Sequence, residues 1–180
     1  GFPGAAFQAD GAAVLEAGAG PLGPPATPGL GEPVSAAALT AADLGVFPDG
    51  RGLPAGRGDV PTGRALFEAR CASCHGPAGA GGSGGRLVGR EPLAGTPLSF
   101  RSVGQFWPYA TTLFDYIRRA MPLDRPGTLS VDESYALTAY LLQANGVIGE
   151  DAVIDARSLP AVRMPNRDGF IRRDREPAAR

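Results

Sequence analysis

Both cysteines and the single histidine of this 180-residue chain fall within five positions, Cys71-Ala72-Ser73-Cys74-His75. A C-x-x-C-H run reads as a c-type haem attachment site. The two thiols add across the haem vinyl groups and become thioethers. The spacing puts both sulfurs on one side of a helical turn, and the imidazole that follows is delivered to the iron as proximal ligand. Three other chemistries use the same residue types. A disulfide between Cys71 and Cys74 leaves His75 unexplained. A thioredoxin-like redox pair belongs in a βαβ context, and none is visible. A zinc site takes four ligands, so a carboxylate would have to complete this set.

The iron then needs a sixth ligand or an open site. The chain has no second His and no third Cys, so bis-His and thiolate ligation are excluded. Met121 and Met164 remain. Met121 stands 46 residues after His75, in Arg-Arg-Ala-Met-Pro, where a helix ends and the thioether is free to swing onto the iron. An ordinary core role is the alternative for this side chain. Met164 lies in the tail and is the less well placed of the two. His/Met ligation raises the reduction potential, leaves no open position and passes single electrons. The chain therefore reads as a carrier or an electron-accepting subunit with no catalytic residue of its own, and a single covalent haem c is the expected cofactor.

Three helices can position these groups. The first is expected from Pro61 or Thr62 to about Cys71, with Asp59 as a cap and Pro61 in the first turn. The second is expected from about Pro108 to Ala120, with Leu113, Phe114 and Ile117 on one face and Pro122 ending it. The third opens at Ser130 and Glu133, which have capping-box spacing. It carries Tyr135, Leu137, Tyr140 and Leu141, and Gly146 suits its stop. The Gly-rich stretch from Gly76 to Gly95 favours neither helix nor strand. No segment alternates with period 2, so the fold is expected to be all-α.

Flanking segments complete a three-part organisation: an arm (1–61), a folded unit (62–148) and a C-terminal extension (149–180). Residues 1–61 hold 13 Gly and 9 Pro, a density that resists regular structure. A short helix around Ser35 to Leu44 is expected, followed by a turn at Pro48-Asp49-Gly50. The arm reads either as a disordered leader or as a segment that orders on a partner, anchored by Val34, Leu39, Leu44, Val46, Phe47 and Leu53. The end of the chain, with Arg172, Arg173, Arg175 and Arg180, reads either as a solvated tail or as a contact for an acidic partner.

Composition narrows the function further. All 17 basic residues are Arg, the net charge is −1 and the pI is near 5.8. That balance argues against general nucleic-acid binding. No apolar run reaches the length of a membrane span. The chain starts at Gly1 without a charged and then apolar leader, so either a signal peptide has been removed or the sequence was begun here. No Cys is left over for a lipid anchor. Haem attachment chemistry places the folded chain outside the cytoplasm, in the periplasm of a Gram-negative host.

Residues 62–146 resemble class I cytochrome c. Gly63 and Phe67 on the first helix and Leu137 and Tyr140 on the last match the positions where that family crosses its terminal helices, with Gly63 allowing close approach. The resemblance implies that Pro92 or a neighbour in Glu91-Pro92-Leu93 offers a backbone carbonyl to the His75 Nδ1 proton. Three segments resemble the cytochrome c subunit of bacterial sulfite and sulfane (Sox-type) dehydrogenases: Phe106 to Pro122, Tyr135 to Leu142, and Arg163 to Phe170. Phe47 to Pro54 resembles the leader of that group. The implied role is to take single electrons from a separate molybdenum subunit, which oxidises sulfite or a sulfane sulfur. They would pass to a downstream cytochrome or oxidase, with the arm and tail wrapping the molybdenum subunit. Arg101, Trp107 and Tyr109 are candidate partners of the haem propionates, since guanidinium, indole and phenol donors suit carboxylates. In the ordinary alternative Trp107 is core and Arg101 a surface charge. A free diffusible respiratory cytochrome c and a small haem enzyme with an open iron site are the competing functions.

Overall fold

The computed structural model describes residues 31–42, 45–92, 94–95, 97 and 101–170. Leu44, Leu93 and the basic residues Arg172, Arg173, Arg175 and Arg180 lie outside them. The chain divides into two units, 1–35 and 36–180. Of the first, residues 31–35 are described; they are exposed and lack regular structure.

Helix α1 (Ala36–Ala42) is short and lies where the sequence predicts it. After the turn closed by Gly50 N–H to the Phe47 carbonyl (3.0 Å), Val46 and Leu53 pack against the core, whereas Phe47 stays half-exposed. Strand β1 (Arg57–Asp59) leads straight into helix α2 (Val60–Arg70). The Asp59 side chain accepts from Thr62 N–H at 2.8 Å and Pro61 sits in the first turn, as the sequence predicts. The one-turn helix α3 (Ala72–His75) carries the cysteine–histidine run. A 3-10 turn (Pro77–Gly79) opens the Gly-rich segment.

Helix α4 (Val103–Phe106) was not anticipated, although Ser102 and Gln105 form a full capping box. Helix α5 (Ala110–Ala120) buries Leu113, Phe114 and Ile117, and ends at Met121, whose backbone is extended. Helix α6 (Val131–Ala144) has both capping-box bonds: Glu133 N–H to Ser130 Oγ (3.1 Å) and Ser130 N–H to Glu133 Oε2 (2.8 Å). At its end Gly146 adopts φ +76°. The bonds Gly146 N–H to Gln143 O and Val147 N–H to Leu142 O close a Schellman motif.

The fold is helical, with one addition: β1 pairs antiparallel with β2 (Val153–Asp155), in the register Gly58 opposite Ile154. A three-residue strand is too short to show alternation, so no sequence periodicity announces it. Helix α6 is the centre of the unit; α2, α5 and the strand pair all pack against it. Tyr135, Phe67, Phe114 and Leu142 are fully buried. Phe67 meets Tyr140 with ring centroids 5.2 Å apart, and Phe114 meets Tyr135 at 4.4 Å. Beyond α6, Ile154, Leu159 and Met164 also enter this core.

Candidate haem site

The C-terminal end of α2 delivers its chain directly into α3. The N–H groups of Cys71 and His75 bond back to the carbonyls of Phe67 (2.8 Å) and Cys71 (2.9 Å). One helical turn therefore holds Cys71, Cys74 and His75. All three line a cavity of about 800 Å³, within the range of small-molecule and cofactor sites. Its walls are apolar side chains from four directions: Phe67 of α2, Ile117 of α5, Leu137 and Leu141 of α6, and Leu87 of the Gly-rich segment. Met121 lines the same cavity from the end of α5, with Pro122 and the exposed Leu123 beside it.

The imidazole is oriented by one bond. His75 Nδ1 lies 2.7 Å from the carbonyl oxygen of Gly85. A carbonyl can only accept, so Nδ1 carries the proton and Nε2 is the nitrogen left for a metal. The acceptor is thus Gly85, ten residues after the histidine, rather than Pro92 or its neighbours. The chain turns sharply enough after α3 for the nearer carbonyl to reach the ring. Gly84 N–H bonds to the Cys74 carbonyl at 2.7 Å, which brings the segment back over α3. A Cβ on Gly84 would sit 2.9 Å from both Nδ1 and Cε1 of His75. Glycine here lets the backbone lie against the ring.

Both thiols are free. Burial pushes the Cys71 thiol up to about 11, against the smaller opposing pull of Arg70. Redox-active C-x-x-C pairs work with a lowered thiol pKa, so the environment of Cys71 is the opposite of a thioredoxin-like one. A haem suits the residues present: apolar walls, two thiols and an imidazole on one turn, and a thioether on the same cavity.

The other expected residues lie elsewhere. Met164 is buried in the core, 1% exposed, and does not line the cavity. Neither do Arg101, Trp107 and Tyr109. The Arg101 guanidinium stands 5.4 Å from the Phe106 ring, and that of Arg167 stands 4.7 Å from the Tyr109 ring. Trp107 packs edge-on against Tyr116 at 5.7 Å, and only Tyr116 reaches the cavity. The guanidinium-bearing residues on the cavity are instead Arg70 and Arg125. Arg70 follows α2 into the C-x-x-C-H turn, and Arg125 follows the Met-Pro at the end of α5. Adjacency to those two motifs is the sequence signal that could have found them.

Comparison with known proteins agrees with this architecture. Residues 58–141 match the family described as cytochrome c oxidase, cbb3-type, subunit III. No curated protein matches the chain. A chain in the crystal structure of the sulfane dehydrogenase SoxCD from Paracoccus pantotrophus is 42% identical, with a TM-score of 0.74. The likeness covers 81% of this chain and 72% of that one. Among the described residues no helix is long and apolar enough to cross a membrane. With the helical fold, the C-x-x-C-H cavity and this identity together, the chain belongs to the cytochrome c family, haem proteins of electron transfer, and within it to the group of the matched SoxCD chain.

Proposed function

We propose that this chain carries one covalent haem c and is the electron-accepting subunit of a molybdenum dehydrogenase acting on sulfite or sulfane sulfur. The observation that carries the haem assignment is that Cys71, Cys74, His75 and Met121 line one apolar cavity. Cys71 and Cys74 would attach the haem through their thiols, and His75 Nε2 and the Met121 sulfur would hold its iron. Bound there, the haem supplies one-electron redox chemistry at a potential raised by Met ligation.

The chain's own residues do the rest. The Gly85 carbonyl accepts from His75 Nδ1–H and so fixes the ring tautomer and raises the basicity of Nε2. Phe67, Ile117, Leu137 and Leu141 exclude water from the site. Arg70 and Arg125 are better placed than Arg101, Trp107 or Tyr109 to meet the propionates.

Likeness to the SoxCD chain supports the molybdenum partner and favours sulfane over sulfite as the partner's substrate. The chain passes electrons on to a second cytochrome or an oxidase. The exposed Val34 and Leu39, beside and on α1, support a role for the arm in wrapping the molybdenum subunit. The need to attach haem to thiols supports a periplasmic location.

The test is haem absorbance after adding sulfite or a sulfane-sulfur substrate, with and without the candidate molybdenum subunit. Reduction only in its presence is expected. Reduction at the same rate without the subunit would overturn the assignment. Failure of reduction in both cases would leave a cytochrome c whose electron donor lies elsewhere.

A further inference from the structure

The amide of Asn145, at the end of α6, has every donor and acceptor engaged. Its Nδ2 donates to the carbonyls of Leu141 (2.8 Å) and Leu87 (3.1 Å). Its Oδ1 accepts from Gly89 N–H at 3.1 Å and lies 2.8 Å from Ser102 Oγ. An amide has two N–H donors and two lone pairs on its oxygen, so this side chain is saturated. Rotating it by half a turn would set its NH2 against the Gly89 N–H, so the network fixes its orientation. It is 9% exposed, and Ser102 is 1% exposed. A buried network this complete is costly to leave half-satisfied.

What the network holds is the Gly-rich segment. Leu87 and Gly89 are tied to Asn145, and Gly84 is tied to Cys74. Gly85, whose carbonyl accepts from His75 Nδ1, lies between these two anchors. The N–H groups of Leu87 and Val88 add a third tie, both reaching the Gly79 carbonyl at 3.0 Å. Two side chains link the segment to α6, whose Leu137 and Leu141 wall the cavity: Arg90, which donates to the Ala144 carbonyl at 3.3 Å, and Asn145, whose ties at Leu87 and Gly89 are the nearer to Gly85. Space for the amide is provided by Gly104 of α4. A Cβ there would stand 2.3 Å from Asn145 Cβ and 2.4 Å from its Cγ.

We propose that Asn145 is a positioning residue for the iron ligand: it holds residues 85–89 so that the Gly85 carbonyl meets His75 Nδ1, and through that bond it sets the redox potential. This rests on the haem assignment above. The physical chain is short. A firm Nδ1–H bond makes the imidazole a stronger donor, which favours the ferric state. Loosening the segment weakens that bond, and the ferrous state gains.

The experiment is a redox titration of the full haem-bearing chain and of Asn145→Ala, with Asp59→Ala as the control. Asp59 caps α2 away from the segment, so its loss lowers stability without touching Gly85. In Asn145→Ala the ferrous-to-ferric ratio at fixed potential is expected to rise about three- to tenfold, tenfold being about 59 mV for one electron. In Asp59→Ala it should stay at the parent value. An unchanged potential in Asn145→Ala, with a lowered unfolding midpoint, would show a purely structural role and overturn the proposal.

If Asn145→Ala does not accumulate with haem attached, Asn145→Leu is titrated instead. It keeps the size and neutrality of the side chain and loses every hydrogen bond, so a raised potential is again expected and a parental one is again fatal. Gly104→Ala, which displaces the amide from the opposite side, should shift the potential in the same direction. Failure of the haem assignment is separately visible, since the parent chain would then carry no covalent haem.

Discussion

Gly63 of α2 faces the Ala136 carbonyl of α6 so closely that a Cβ on Gly63 would lie 1.9 Å from that oxygen. The two helix backbones meet here, and Phe67, one turn on, packs at a tilt against Tyr140 across the same contact. Because Phe67 and Leu137 both line the cavity, this crossing sets the distance between two of its walls.

Gly63→Ala should therefore destabilise the protein despite the better helix propensity of alanine. Neither a backbone carbonyl nor a buried crossing can move aside cheaply. A loss of about 1–3 kcal/mol is expected from overpacking, read as a lower urea midpoint with an unchanged slope. A variant as stable as the parent would mean that the helices do not approach this closely in solution.

The two methionines should separate cleanly. Met121→Ala is expected to lower the reduction potential and open the iron to added ligands such as imidazole, with a small effect on stability. Met164→Ala should leave the haem spectrum unchanged and cost about 2–5 kcal/mol, as for other buried large-to-small changes. Spectra and denaturation curves of the pair check both. The reverse pattern would exchange their roles.

Gly84→Ala places a methyl group against the His75 ring. The ring must rotate or the segment must lift, and either change disturbs the bond to Gly85. A lower yield of haem-bearing chain, or a shifted potential, is expected. Normal yield together with a parental potential would show that the ring has room to spare.

Acid should weaken the fold through Asp59 and Asp155. Both carboxyls lie below their usual value of 3.8, chiefly because backbone N–H groups donate to them: that of Thr62 to Asp59, and those of Ser158 and Arg157 to Asp155. A depressed folded-state pKa contributes stability above the unfolded value, and that stability is lost as pH falls through the folded value. The unfolding midpoint should thus drop below about pH 4. Asp59→Ala should cost about 1 kcal/mol at pH 7 and show a shallower fall on acidification. An identical acid slope in parent and variant would refute the role of this cap.

Much of the site was legible from residue types alone. Cys71, Cys74 and His75 were readable because covalent haem attachment demands those side chains at that spacing, and the spacing survives only on one helical turn. Helices α2, α5 and α6 were readable because Asp59, Pro122, Ser130 and Gly146 act on their own nearest neighbours. The strand pair was not, since three residues have no period and their partner lies almost a hundred positions away. Residues 149–170 looked like a tail because no helical or strand period runs through them, yet Ile154, Leu159 and Met164 reach the core.

The local chemistry of this protein, a C-x-x-C-H turn, the side-chain-capped helices α2 and α6, and α5 ended before a proline, was determined by the sequence, because caps, breakers and thiol spacing act over a few residues. Which carbonyl accepts from His75 and which arginines stand at its cavity were decided only by the tertiary structure. Gly85, Arg70 and Arg125 acquire those places from how α2, α5 and the Gly-rich segment pack around α6. Such long-range packing depends on shape and burial across the whole unit, and no short stretch of sequence encodes it.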